Sequence, residues 1–186
     1  MGIIIAFVIL GVIIVGIVSG GVAIYNRLVM LKYNVDKNFA NIDVILKQRV
    51  DEIPNLIAVV KKTQGYEESL LNQLTELRTA FLSSRSTDEK VQLANEVGKL
   101  LNSFFAVSEN YPELKAVESF RTLQLRVSDL EDMLSDRREL YNESVNMYNI
   151  GIHEMPALLF ARSMGYTDKP LLHISEEEKK YDGIRF

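Results

Sequence analysis

The chain begins with an unbroken apolar run and then sets apolar residues at helical spacing almost to its end. Residues 3–24 read IIIAFVILGVIIVGIVSGGVAI, with no charge, no Asn, Gln or Pro, and one hydroxyl, Ser19. As a helix this run would measure ~33 Å, enough to cross the ~30 Å hydrocarbon core of a bilayer. Such a stretch predicts a transmembrane anchor. A cleaved secretory signal would want basic residues ahead of a shorter apolar core, and no Lys or Arg precedes this one.

After the anchor, Leu28, Leu31, Val35, Phe39, Ile42, Leu46 and Ile53 recur three, four or seven apart, close to a heptad. Nothing between Ile24 and Asp51 breaks a helix, so the anchor is expected to continue into the first soluble helix. Arg49 falls on that seam and reads as a helix-end arginine that snorkels or pairs with an acid. Pro54 predicts a break or sharp kink near residues 51–54, with Asp51 available as a cap. A second helix is expected over about 54–81, with Leu56, Ile57, Val60, Leu70, Leu71, Leu74, Leu77 and Phe81 on its stripe. That stripe lapses at Thr63, Gln64 and Glu67, beside Gly65. The lapse is either a looser, wetter layer or a polar site.

Residues 83–88 (SSRSTD) form a loop by composition. A third helix follows to about Ser108, and Asn110, Tyr111 and Pro112 stop it. The fourth and longest helix is predicted from Pro112 to about Asn149, along Val117, Phe120, Leu123, Val127, Leu130, Leu134, Tyr141, Val145 and Tyr148. Arg137 interrupts this stripe. Its end turns aromatic and amide-rich at Arg137, Arg138, Tyr141, Asn142, Tyr148 and Asn149. Buried Tyr and Asn must be hydrogen-bonded. The cluster therefore either fixes helix register and closes the bundle end, or forms a recognition patch. Gly151 is a natural stop, and a short amphipathic helix is expected from Pro156 to Met164, ending at Gly165. The predicted fold is all-α: a transmembrane anchor at 1–24, an antiparallel four-helix bundle with a short C-terminal helix at 25–165, and a tail at 166–186.

Composition narrows the function. Without the anchor, ~160 residues remain, enough for one domain with its own core. Net charge is −4 and the isoelectric point is near 5.3. That offers no basic footprint for nucleic acid and no broad polybasic surface for anionic lipid. The absence of cysteine rules out thiol catalysis, disulfides and thiolate metal sites. Arg27, Lys32 and Lys37 follow the anchor against one nearby acid, Asp36. The positive-inside rule then places Tyr25 onward in the cytoplasm and the N-terminus outside, in a single-pass cell-membrane protein.

Catalytic motifs are lacking. His153-Glu154 opens like a zinc-protease motif, but Ala157 holds the second histidine position. Glu-x-x-His fails at both histidines, since Ile150 and Pro170 stand three residues before His153 and His173. No Gly-rich phosphate loop is present. The expectation is a non-enzyme with no metal and no cofactor.

In order along the chain, several stretches resemble the LemA family of bacterial membrane-anchored proteins over essentially its whole length. They are Tyr25-Asn26-Arg27-Leu28-Val29, Ile42-Asp43-Val44 with Leu46-Lys47-Gln48-Arg49, and Ile53-Pro54-Asn55-Leu56. Further on come Tyr111-Pro112-Glu113-Leu114-Lys115-Ala116, Arg137-Arg138 with Tyr141-Asn142 and Tyr148-Asn149, and Pro156 with Gly165-Tyr166. Phe39 stands where a Trp is frequent, and Tyr66 where many members carry His. The resemblance implies an anchored antiparallel helical bundle and supplies no catalytic residues. One relative works in building the magnetosome membrane, an analogy pointing to membrane organisation.

Two functions are expected to compete. In one, the protein is a scaffold in the lipid bilayer that forms a homo-oligomer, with Gly16 and Gly20 as a small-xxx-small face for packing between spans. In the other, the bundle is an adaptor that docks a partner protein. A ligand sensor using residues 63–67 is a distant third.

Overall fold

Where the apolar stripe holds its period, the chain is helical, and no strand occurs among the described residues. The computed structural model describes residues 1–61, 68–108 and 110–172. Seven helices are found among them: α1 (Gly2–Asp51), α2 (Ile53–Val60), α3 (Glu68–Ser83), α4 (Thr87–Ser108), α5 (Pro112–Lys115), α6 (Glu118–His153) and α7 (Ala157–Ser163). The fold is all-α, with a long apolar helix at its N-terminus. It divides into two compact units. One holds Asn41–Arg137, and the other joins Met1–Ala40 to the chain from Arg138 onward.

In the first of these, the bundle unit, the break expected near residues 51–54 is a joint of one residue. Glu52 keeps helical dihedrals of −78° and −15°. Its N–H donates to the Arg49 carbonyl at 3.2 Å, and its carbonyl accepts from Leu56 N–H at 3.0 Å. Pro54 falls in the first turn of α2, where its missing N–H costs least. The helix therefore pauses without reversing.

Side-chain pairs set the directions. Asp43 meets Lys90 and Arg49 meets Ala94, so α1 and α4 run parallel. Arg49 meets Glu131, and Glu52 lies 3.7 Å from Arg126, so α1 and its continuation run against α6. The three residues between α3 and α4 make those two antiparallel, with Lys90 over the Phe81 ring. The result is an up-down-up-down bundle of α1–α2, α3, α4 and α6. The single helix expected over 54–81 is two helices of opposite direction, α2 and α3. Residues 63–67, the suggested polar layer, lie outside the described residues.

The core of this unit is built from the predicted stripes: Ile42, Leu46, Ile53, Leu56, Leu74, Val97, Leu101, Leu130 and Leu134 are all buried. At the α4–α6 end Phe104, Phe105 and Phe120 form an aromatic trio with centroids 5.7–6.2 Å apart. The fourth helix does not start at Pro112. A one-turn α5 buries Leu114, and α6 restarts at Glu118, whose carboxylate suits the positive helix end. Val117, expected in the stripe, sits in that gap and is exposed.

In the anchor unit α1 and α6 pack antiparallel. Arg27 pairs with Glu154 at 2.9 Å, the Leu31 side chain reaches Gly151, and Asn38 donates to the Leu140 carbonyl at 3.3 Å. The Phe39 ring meets Tyr141 edge-on at 5.8 Å. Gly151 is therefore no helix stop. It lies buried inside α6, which continues to His153, and any Cβ there would collide with Leu31. The Met155–Pro156 peptide is cis. α7 then ends as predicted at Gly165, whose φ of +68° is the left-handed cap that glycine accepts. Tyr166 N–H donates to the Ala161 carbonyl and Gly165 N–H to that of Arg162, the paired bonds of a Schellman turn.

Candidate functional site

Three features carry the candidate residues, and each follows from local geometry. The first is the anchor. The N-terminal part of α1 is long and apolar enough to cross a membrane, and none of its most apolar window is buried. The Ser19 hydroxyl donates back to the Gly16 carbonyl at 3.0 Å, so this polar group is satisfied within the helix. Gly16 and Gly20 lie four apart on one face with open space where a Cβ would stand. Gly21, about 100° further round the helix, is different. A Cβ there would touch the Phe160 ring of α7 at 3.5 Å.

The second is the amide pair on α6. Asn142 accepts from Leu172 N–H at 2.8 Å and donates to the Leu172 carbonyl at 2.9 Å. Asn149 does the same with Lys169, both bonds at 2.9 Å. Each side chain thus imitates the edge of a β-strand. The spacing explains why two are used. Seven residues of α-helix rise ~10.5 Å, and three residues of extended chain cover ~10 Å. The two amides therefore pin an extended segment at both ends.

Around this clamp Tyr148 faces Tyr166 at 5.9 Å, Lys32 lies 5.3 Å over the Tyr166 ring, and Lys169 pairs with Asp36 at 2.7 Å. Burial pushes the Tyr148 hydroxyl above its usual pKa. Tyr166, Asp168 and Asp36 add to the rise, and a backbone hydrogen bond from Thr167 opposes it. Beside the clamp is a cavity of about 220 Å³ lined by Ile152, His153, Ala161, Arg162, Tyr166 and Asp168 among others. His153 Nδ1 lies 2.7 Å from the Asn149 carbonyl and 3.6 Å from Asp168 Oδ1. Among the described residues no group of three His, Asp or Glu side chains could hold a metal ion.

The third feature is Arg49, in the bundle unit. It is 3% exposed, pairs with the Glu131 carboxylate and donates to the Ala94 carbonyl at 3.4 Å. Space for its guanidinium comes from Gly98, where any Cβ would overlap it. Sequence reasoning found Arg49 and missed Gly98 and Glu131. A glycine on the buried face of α4, level with Ala94 and Leu101, was the available signal.

Arg49 and Arg137 belong to the bundle unit, while Arg138, Tyr141, Asn142, Tyr148 and Asn149 belong to the anchor unit. Arg137 does not interrupt the stripe, because it is exposed. Arg138, four residues after Leu134, holds the seam position instead and is buried.

Comparison with known proteins finds relatives over most of this chain. The magnetosome proteins MamQ 1 and MamQ 2 of Paramagnetospirillum magneticum AMB-1 are each 23% identical over 158 residues, covering 71% of this chain and 58% of theirs. MamQ of Magnetospirillum gryphiswaldense MSR-1 is 20% identical over 175 residues, covering 80% of this chain and 64% of its own. The chain thus spans about three fifths of the length of these curated relatives. Residues 38–186 match the family-wide pattern of the LemA family, and the chain belongs to that family.

Proposed function

We propose that this membrane-associated LemA-family protein is a non-enzymatic scaffold that self-associates in the bilayer and organises membrane or membrane proteins. The observation carrying this reading is the open face at Gly16 and Gly20, on a helix that continues without interruption past Leu28, Leu31 and Val35. Small residues let backbones approach and gain van der Waals contact, which is what drives association of spans in lipid. A span packed through that face would bring neighbouring anchor units side by side. The chain's likeness to magnetosome proteins of two bacteria supports a role at a membrane.

Replacing Gly16 and Gly20 together by Leu should reduce assembly size in native gels or cross-linking, with helical content unchanged. An unaltered size distribution sinks the glycine face, and a monomeric parent chain in gentle detergent favours the adaptor that docks a partner protein.

The same reading puts the N-terminus outside and the soluble helices in the cytoplasm. Cysteine introduced at Gly2 should react with an impermeant thiol reagent in intact cells, and cysteine at Asp168 should not. Labelling only at position 168 reverses the orientation.

A further inference from the structure

The sequence from Pro156 to Met164 reads only as a short amphipathic helix. Its surroundings are more specific. α7 turns Ala157 and Ala161, one helical turn apart, inward, where they are buried. On the outside it leaves Leu159 at 61% exposure, and Met155 just before it at 71%. Large apolar side chains this exposed and this close together forgo the stabilisation that burial would give. Among the described residues of the anchor unit, none covers them.

Their position along the span is defined by one contact. Phe160, half-buried, rests against Gly21. Gly21 lies inside the apolar run, three residues short of its end at Ile24 and six short of Arg27, the first charge. At 1.5 Å per residue that places Phe160 ~4.5 Å on the lipid side of Ile24 and ~9 Å from the level of Arg27. Amphipathic segments that lie in the membrane plane bury their apolar face ~5–10 Å into the boundary between headgroups and acyl chains. The depth matches. The nearest acid on this side, Glu154, pairs with Arg27 at 2.9 Å.

We infer that the 155–160 segment is a second membrane contact, inserting Met155, Leu159 and Phe160 into the headgroup–acyl boundary of the bilayer that the span crosses. The occupant of this face is lipid, and the argument for it is continuity with the lipid-facing surface of α1. The inference rests on residues 3–24 lying in the bilayer. Two contacts then fix the anchor unit against the membrane plane, where a single helix would leave it free to tilt.

The chain has no tryptophan, so single probes report cleanly. The full-length variants Leu159→Trp, Met155→Trp, Phe7→Trp and Leu140→Trp are reconstituted separately into phosphatidylcholine vesicles carrying bromine high or deep in the acyl chains. Leu140 is exposed on α6, ~20 Å along the helix from His153. The expected result is loss of fluorescence at positions 159 and 155 to the shallow bromines, loss at position 7 to the deep ones, and no loss at 140. Quenching at 7 with none at 159 or 155 overturns the inference and leaves the anchor standing. Absence of quenching at 7 removes the anchor and the inference with it. Protection of 159 from aqueous iodide without lipid quenching shows a second protein chain on this face, and also overturns it. Equal quenching at 159 and 140 does the same, because it shows contact without position. Since both 155 and 159 are exposed, failure of one variant to fold leaves the other to decide.

Discussion

The two units meet the same problem, a polar group on an apolar seam, with opposite chemistry. In the bundle unit the seam residue is Arg49, and its answer is another charge, Glu131, with Gly98 making room. In the anchor unit the polar groups beside the seam include the amides Asn142 and Asn149, and their answer is backbone. The difference follows from what each α6 half packs against. In the bundle unit the described elements that pack together are helices, whose own N–H and C=O groups are already paired, so a buried side chain must find another side chain or a stray carbonyl. In the anchor unit one neighbour is an extended segment, whose backbone groups have no ladder to join. Buried backbone must be satisfied, and Asn supplies both a donor and an acceptor in the right geometry.

The largest effect is expected from breaking the charged answer. Replacing Glu131 by Leu leaves the Arg49 guanidinium buried and short of its counter-charge. Losing one partner of a buried pair costs ~3–5 kcal/mol. Glu131 is 29% exposed, which points to the lower end of that range. Urea unfolding followed by helical circular dichroism should show the loss. Replacing Arg49 by Leu in the same chain should recover most of it, since an apolar pair often matches a buried ion pair. If the double variant is as unstable as the single one, the cost comes from packing and the contrast between the units weakens.

Much of this contrast was only half legible beforehand. Helical periodicity located the helices well, because burial of a stripe is a local property of sequence. It failed where the deciding interaction is distant or backbone-borne. Pro54 signalled a break, but not that the chain would run on in the same direction past Glu52, which keeps helical dihedrals. Arg137 and Arg138 both fit a 3–4 spacing from the flanking stripe, and only packing chose the second. Gly151 looked like a stop because glycine often is one, whereas here its missing side chain makes room for Leu31. Asn142 and Asn149 could be picked out as residues needing partners. Their partners, at Lys169 and Leu172, are backbone groups, and side-chain identity does not encode which backbone a side chain will bind.

The smaller and sharper prediction concerns those amides. Replacing Asn142 and Asn149 together by Ala removes four hydrogen bonds to the extended segment. At ~1 kcal/mol net for each bond the ceiling is ~4 kcal/mol. The real loss should be less, about 1–2 kcal/mol, because the released segment can return its N–H and C=O groups to water and regain chain entropy. The effect should also be local. Under native conditions amide hydrogen exchange at Lys169 and Leu172 should accelerate, while amides of α3 and α4 in the bundle unit keep their protection. Asn149→Asp separates pairing from bulk. It keeps the shape and the acceptor for Lys169 N–H but loses the donor and sets a carboxylate against the Lys169 carbonyl. Exchange at Lys169 should then rise nearly as far as in Asn149→Ala. If Asp protects as well as Asn, the segment is held by Tyr166 and Lys169 packing alone, and the two asparagines are bystanders.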